Sequence, residues 1–391
     1  MKSQPRVYPY IFSVVLSVLS LVALSCAQPA PPTPTPTPPP AAKPAATAAP
    51  AVAPAAPTAT AAPQAPKPSQ ATPAAAKPTE MTLVRAGHIG SAADGPTYIA
   101  LEKGYFREQG INLELTVIDT AAKMMVPMAA GQLEVGRGSP NAALFNAITR
   151  QLPIKVVADI TRIVNNNYIV LAGRKDLMDS GALKDYADLK GKNVVIINKA
   201  TGAEIELDRA LKKGNLTLGD VNIIELPFPD QAAALANKAA DVAQMIEPFV
   251  TVARERGIAS IWKATYDFAP DHQLAVLMYA PHFMKDKPDV ARRYMVAYVK
   301  GIRDYNDAFL RNKGKSEVIP IMTKWTSIKD PAMFEKITPQ GINDNGYVNA
   351  KSIMDDQDWY IAKGYIKEKF AEKDLIDNQW VDYAVLQLGR K

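Results

Sequence analysis

The sequence predicts a mixed α/β protein built as two similar lobes, and three observations carry that prediction. Residues 83–118 read as strand, loop, helix and strand. LVRAGHIG forms the first strand, Asp94 and Gly95 begin the helix, and Ile111 to Ile118 alternates apolar and polar residues as a half-buried strand does. The same unit returns about 110 residues later, where Leu101-Glu-Lys-Gly104 with Ile111-Asn-Leu113 is echoed by Leu211-Lys-Lys-Gly214 with Val221-Asn-Ile223. Each copy then continues with a helix and a strand: Ala121–Ala130 and GQLEVGRG in the first, Asp230–Asn237 and AADVAQMI in the second. Two units of matching order imply two lobes facing each other.

In chain order, residues 1–26 have the pattern of an export signal: Lys2 and Arg6, then the charge-free run Ile11–Leu24, too short to span a membrane comfortably. The run ends in Ala23-Leu24-Ser25-Cys26, which resembles a bacterial lipobox, although leucine would be usual where Ala23 stands. Cys26 is therefore the expected lipidation site; cleavage after Ala27 is the competing reading. As the chain's single cysteine it has no partner for an internal disulfide. Residues 27–80 are mostly Pro, Ala and Thr, too poor in apolar side chains to form a core, and read as a semi-extended disordered tether.

The globular part begins at Met81. Pro96 suits a first helical turn, where its missing N–H is not needed, and Gly104 suits a left-handed stop. Ser139 and Pro140 read as the cap and first residue of a helix over Asn141–Arg150. Pro153–Ile160 is the next strand, and Asn165–Tyr168 the first crossing to the second lobe. That lobe carries the strand Asn193–Ile197, the loop Asn198–Gly202, Thr201 and Glu204 at capping-box spacing, and a strand-to-helix corner at Glu247-Pro248-Phe249. LAVLMY, within His272–Tyr279, returns the chain to the first lobe. The expected division is therefore 81–166 for the first part of lobe 1, 167–273 for lobe 2, and 274–391 for the return to lobe 1. From Lys287 onward, apolar residues at three- and four-residue spacing predict helices packed outside the lobes, with Trp359 and the tyrosines as packing residues.

Composition narrows the chemistry. A net charge of +6 without a dense basic patch makes nucleic acid an unlikely match for this surface. No P-loop, GxGxxG after a strand, or GxSxG elbow occurs, and His88, His272 and His282 lack metal-ligand spacing. No catalytic residue, metal or cofactor is therefore expected.

The run Tyr98-Ile-Ala-Leu-Glu-Lys-Gly-Tyr-Phe106 through Gly110-Ile-Asn-Leu113 resembles the solute-binding proteins of ABC importers. Within them it is most similar to the sulfonate, nitrate, taurine and thiamine-precursor group, the SsuA/THI5-like (NMT1/TauA-like) family. Ala130–Gly136, Pro153–Ala158, Asp188–Lys192 and Ile246–Phe249 follow in the same order. The resemblance implies the type 2 periplasmic-binding-protein fold: two α/β lobes, two hinge crossings and a ligand in the cleft. It also implies an exported, lipid-anchored monomer that closes on a small molecule and delivers it to membrane permease subunits. Two alternatives share the fold: an extracytoplasmic sensing subunit, and a relative that makes the thiamine pyrimidine through a cysteine-rich iron motif, which this chain lacks.

Helix starts carry unpaired N–H groups and partial positive charge. Aimed into a cleft, they hold a small polar or anionic group without requiring an arginine. The expected ligand-binding residues are Ser91, Asp94, Tyr98, Ser139, Asn141, Thr201, Gly202 and Glu247. Capping is an equally good role for Asp94, Ser139 and Thr201, and packing for Tyr98. The helix starts favour a sulfonate, carboxylate or nitrate; Asp94 and Glu247 favour a ligand with donors or positive charge.

Overall fold

The computed structural model describes residues 81–118, 121–150 and 152–391. The signal, Cys26 and the tether lie outside the described residues.

Two five-stranded sheets organise the chain, and each repeats one plan. In the first, β1 (Thr82–His88) runs parallel to β2 (Ile111–Val117) on one side and to β3 (Val135–Gly138) on the other. In the second, β6 (Asn193–Ile196) is flanked in parallel by β7 (Asn222–Glu225) and β8 (Val242–Ile246). Both sheets are completed by strands on either side of the crossings. β4 (Lys155–Arg162) leaves the first sheet, whose order is β2-β1-β3-β10-β4 with β10 spanning Gln273–Tyr279. β5 (Ile169–Arg174) and β9 (Ala259–Ala264) complete the second, ordered β7-β6-β8-β5-β9. β10 (Gln273–Tyr279) returns and inserts antiparallel between β3 and β4. Strands β4, β5 and β10 are buried along nearly their whole length because layers cover both their faces; β2, at an edge, alternates Ile111 and Leu113 inward with Asn112 and Glu114 outward.

Four helices relevant to the site follow strands β1, β3, β6 and β8, and two more come after the chain returns through Gln273–Tyr279. They are α1 (Gly95–Glu102), α2 (Ala142–Thr149), α3 (Gly202–Lys213), α4 (Phe249–Glu255), α5 (Pro288–Leu310) and α6 (Ala350–Ala362). The repeated Leu-x-Lys-Gly signature hides two different causes. Gly104 ends α1's turn at φ 79°, a left-handed conformation that suits glycine. Gly214 has φ −96° and is small for another reason: an added Cβ would lie 2.5 Å from the Tyr186 carbonyl carbon.

The first-lobe core is anchored by α5, whose inner face buries Tyr294, Met295, Tyr298, Val299 and Ile302 against α1 and the sheet. The close approach depends on Gly301, where a Cβ would stand 2.1 Å from the Pro96 carbonyl oxygen. Because that neighbour is backbone, relief requires the helices to separate. Gly301→Ala is expected to cost about 1–3 kcal/mol, measurable by denaturant unfolding, even though alanine favours a helix.

α6 does more than cover lobe 1. Trp359 Nε1 donates to Asp208 on α3 at 3.0 Å, and Arg209 on α3 bonds Asp356 on α6 at 3.2 Å. The expectation of a helix packed outside the lobes holds for α5; α6 instead ties the returning chain to lobe 2, because polar side chains on its inner face find partners on α3.

Candidate ligand-binding cleft

The carboxyl ends of β1, β3, β6 and β8 carry the loops that start helices, and such ends are where open α/β sheets bind ligands. Around β1, Asp94 is the hub. Its Oδ2 accepts the N–H groups of Ile89 (3.2 Å) and Ser91 (3.1 Å) and the hydroxyls of Ser91 and Tyr98 (both 3.3 Å). Its Oδ1 takes Nη1 of Arg137 at 2.8 Å, and the same nitrogen donates to Ser91 Oγ at 2.9 Å. Ser91, Asp94 and Tyr98 are thus brought together around an arginine from β3. Arg137, a residue the sequence reading did not single out, is buried beside these loops.

Tyr98 is fully buried, its ring stacked on Trp325 at 5.4 Å and its hydroxyl 2.7 Å from His88 Nδ1. It positions Asp94 and offers no free face. Burial lowers the His88 pKa, with the Asp94 charge opposing.

The cap after β3 is also corrected. Asn141, not Ser139, caps α2: its side chain accepts from Leu144 N at 3.0 Å, and the helix begins at Ala142. Asn141 takes the role because the helix starts at Ala142, which puts Asn141 at the cap position with extended backbone, and Ser139 remains half-buried two residues upstream. In lobe 2, Thr201 precedes α3, but its hydroxyl donates back to the Asn198 carbonyl at 2.8 Å. Glu204 accepts from Ala200 N at 2.7 Å, one residue before the capping-box position. Gly202 is buried, and a Cβ there would approach His272 at 3.1 Å.

The lobes touch directly at these loops. Ala142 N, the first amide of α2, donates to the Ala200 carbonyl of the opposite lobe at 3.3 Å. Ala200 sits at φ 56°, a conformation that costs a non-glycine residue about 1–2 kcal/mol. Such strain collects at functional sites. Lys336 also reaches Glu255 at 2.7 Å.

Glu247, at the end of β8, is 5% exposed. Its carboxylate accepts from Thr251 N (3.1 Å), Thr251 Oγ1 (2.9 Å) and Thr338 N (3.2 Å). Burial raises its pKa against those bonds. It lines a cavity with Ala92, Tyr168, Thr338 and Gln340, backed by Tyr305 and Phe334. Sequence reasoning missed Arg137, Tyr168, Thr338 and Gln340. Arg137 left a signal: a lone charge in the four-residue strand Val135–Gly138, entirely buried, must find a counterion. The others come from the crossing and from a late loop, where no local pattern points to the cleft.

Beneath the second crossing lies a buried charge network. His272 donates from Nδ1 to Glu206 at 2.7 Å and from Nε2 to Asp356 at 2.8 Å; Gln244 also bonds Glu206. Burial disfavours the His272 cation, but the Asp356 and Glu206 carboxylates outweigh it and raise its pKa to about 9. That stabilisation is fully present below the ordinary value of 6.5 and is lost as pH rises through about 9. Asp159, fully buried, is raised by desolvation to about 6, so the fold gains as pH falls through that value and the carboxyl takes up its proton. The melting temperature is therefore expected to be higher at pH 6 than at pH 9; a flat or rising profile in calorimetry would contradict both assignments.

Comparison with known proteins places this architecture. The family model described as NMT1/THI5 like matches residues 93–307. The chain belongs to the NMT1/THI5-like family. A Brucella abortus member named as a binding protein is 26% identical over 229 residues, 58% of this chain and 67% of that one. YtlA of Bacillus subtilis, also named as a binding protein, is 20% identical over 297 residues, 75% of this chain and 85% of the relative. A pyrimidine phosphate synthase of Aspergillus parasiticus is 25% identical over 133 residues, 33% of this chain and 35% of the relative.

Solved structures share the fold of this family member. The periplasmic aliphatic sulphonate binding protein SsuA of Escherichia coli aligns with TM-score 0.62 at 16% identity, covering 76% of this chain and 92% of SsuA. The periplasmic nitrate-binding protein NrtA of Synechocystis aligns with TM-score 0.63 at 15% identity, covering 79% and 90%. The fold is thus the two-lobed periplasmic-binding-protein type.

Proposed function

We propose that this protein is an exported solute-binding component of an ABC importer, which captures a small polar molecule by closing its lobes and presents the closed form to a membrane permease. The observation that carries the reading is the convergence of both lobes on one crevice. Ala92 from the loop after β1 lines one small cavity with Glu247 from the loop after β8, and Ala142 bonds Ala200 from one lobe to the other. The names of the binding-protein relatives support it.

Closure follows from differential contacts. A molecule touching both lobes favours the closed arrangement by the interactions it loses on opening. Two crossings, at Ile163–Tyr168 and Thr265–His272, connect the sheets and allow the motion. Ser91, Asp94, Asn141, Thr201, Gly202 and Glu247 belong to the cleft loops, Tyr98 supports Asp94, and Ser139 lies on the loop after β3. The same shape would serve a sensing subunit. Export with a lipid on Cys26, a tether over residues 27–80 and a monomeric state complete the proposal.

The test is small-angle scattering of the protein with and without a ligand found by thermal shift. Saturation at 100 times Kd should add about 2.7 kcal/mol of stability and shrink the particle. Stabilisation without compaction would remove the closure mechanism. Cys26→Ala should release the protein from membranes; unchanged membrane association would remove the anchor.

A further inference from the structure

One late segment of the chain touches both lobes and the first crossing between them. We propose that residues 336–341 form a strap, anchored on lobe 1 and gripping the β8–α4 corner of lobe 2, that holds the lobes together before any ligand arrives.

The chain leaves the helical turn Met333–Lys336 and runs without helix or strand from Ile337 to Asn349. Such a stretch normally stays on the surface, because burial strands its backbone groups. Here Gln340, Gly341 and Ile342 are buried, and lobe 1 takes up their polar groups. Gln340 accepts the Thr161 hydroxyl of β4 at 2.8 Å and donates to the Ala93 carbonyl, in the loop after β1, at 3.3 Å. The Gly341 carbonyl accepts from Arg162 N at 2.9 Å, and Asn306 on α5 donates to the Ile342 carbonyl at 3.0 Å. Gly341 has to be small for this approach, since an added Cβ would lie 2.8 Å from the Arg162 carbonyl oxygen. The crossing is held as well: Asn166 Nδ2 donates to the Pro339 carbonyl at 2.9 Å.

The other end belongs to lobe 2. Thr338 N donates to Glu247 at 3.2 Å, and Lys336 pairs with Glu255 at 2.7 Å. The Glu255 pair is exposed and screened by water, so the grip rests on the buried Glu247. The cavity that Thr338, Pro339 and Gln340 line with Glu247 holds about 10 Å³, about the space of one water, so the lobes meet there chain to chain. Anchoring is unequal. Parting the lobes therefore breaks the Thr338–Glu247 bond and leaves the strap on lobe 1. A solute then adds its contacts to a closed form that is already populated. The inference rests on the lobes being able to part, as the solute-binding reading requires, and not on which solute is bound.

Ala142 reports that opening from a distance. Its N–H is the first of α2, which has no acceptor inside the helix, and it donates instead to the Ala200 carbonyl of lobe 2. Neither residue belongs to the strap or to the Glu247 corner. The experiment is amide hydrogen exchange on the full chain without added ligand, resolved to single residues by mass spectrometry. Two variants weaken the grip. Glu247→Gln turns one of two accepting oxygens into a donor. Thr338→Pro removes the donated N–H, and Ile337, at ψ 148°, accommodates a following proline. Expected is an Ala142 N–H protected at least tenfold over an open chain in the unmodified protein, and exchanging at least tenfold faster in both variants. Unchanged exchange in β10 verifies their folding.

Unchanged Ala142 exchange in the folded variants overturns the strap, because the contact is then local. An unprotected Ala142 in the unmodified protein overturns it too, because the lobes then stand apart without ligand. Both outcomes leave the solute-binding reading intact. The expected exchange in a chain that binds no solute supports the strap and removes that reading.

Discussion

Asp356→Ala is expected to destabilise the protein by about 3–5 kcal/mol, the usual cost of stranding a buried charge. Asp356 is fully buried and accepts from both His272 and Arg209. Its removal leaves the His272 ring with one carboxylate, Glu206, and leaves Arg209 without its partner. The loss should carry a pH signature. Without Asp356, the His272 pKa falls back towards its ordinary range, and the decline in stability between pH 6 and 9 shifts downwards. Denaturant unfolding across that interval reads both effects; an unchanged pH profile in the variant would show that Asp356 does not hold the proton on His272. Because Asp356 lies on α6, His272 on the second crossing and Glu206 on α3, the variant should also loosen the junction between lobe 2 and the returning chain.

Arg137→Ala is expected to cost about as much, roughly 3–5 kcal/mol, and to weaken ligand binding. The mechanism differs. Arg137 offsets the Asp94 charge and pins Ser91, so its loss leaves a buried carboxylate in the cleft that still holds the N–H groups of Ile89 and Ser91. Arg137→Lys keeps the charge but should recover only part, since both bonds leave the single nitrogen Nη1 and the shorter lysine must bring its ammonium to that same point. Replacing both members, Arg137→Met with Asp94→Leu, removes the unpaired charge but strands two backbone donors, so recovery should again be partial. Thermal unfolding of the three variants orders them. If Arg137→Ala melts with the unmodified protein, the Arg137–Asp94 pair has no structural role.

The architecture was readable because it rests on period. Alternation in Ile111–Val117, the apolar runs of β4 and β10, and the recurrence of one unit after Leu211 each reflect a strand or helix burying one face. These patterns survive in a linear string. The caps were less readable, since Ser139, Asn141, Thr201 and Glu204 all have capping chemistry. Which of them bonds a given N–H depends on loop geometry of about one residue. Asn141 took the role read for Ser139, and Glu204 turned to Ala200 rather than Thr201.

By itself the sequence determined two α/β lobes, their family resemblance and the loops that would face each other, because hydrophobic period and turn chemistry are local. The tertiary structure decided what those loops hold. Whether a helix start is vacant, and whether a carboxylate is paired, depends on side chains far apart in sequence: Arg137 against Asp94, Thr338 against Glu247, Asp356 against His272. Charge in a low-dielectric interior is settled by neighbours in space, so the character of the cleft emerges only once the chain has folded.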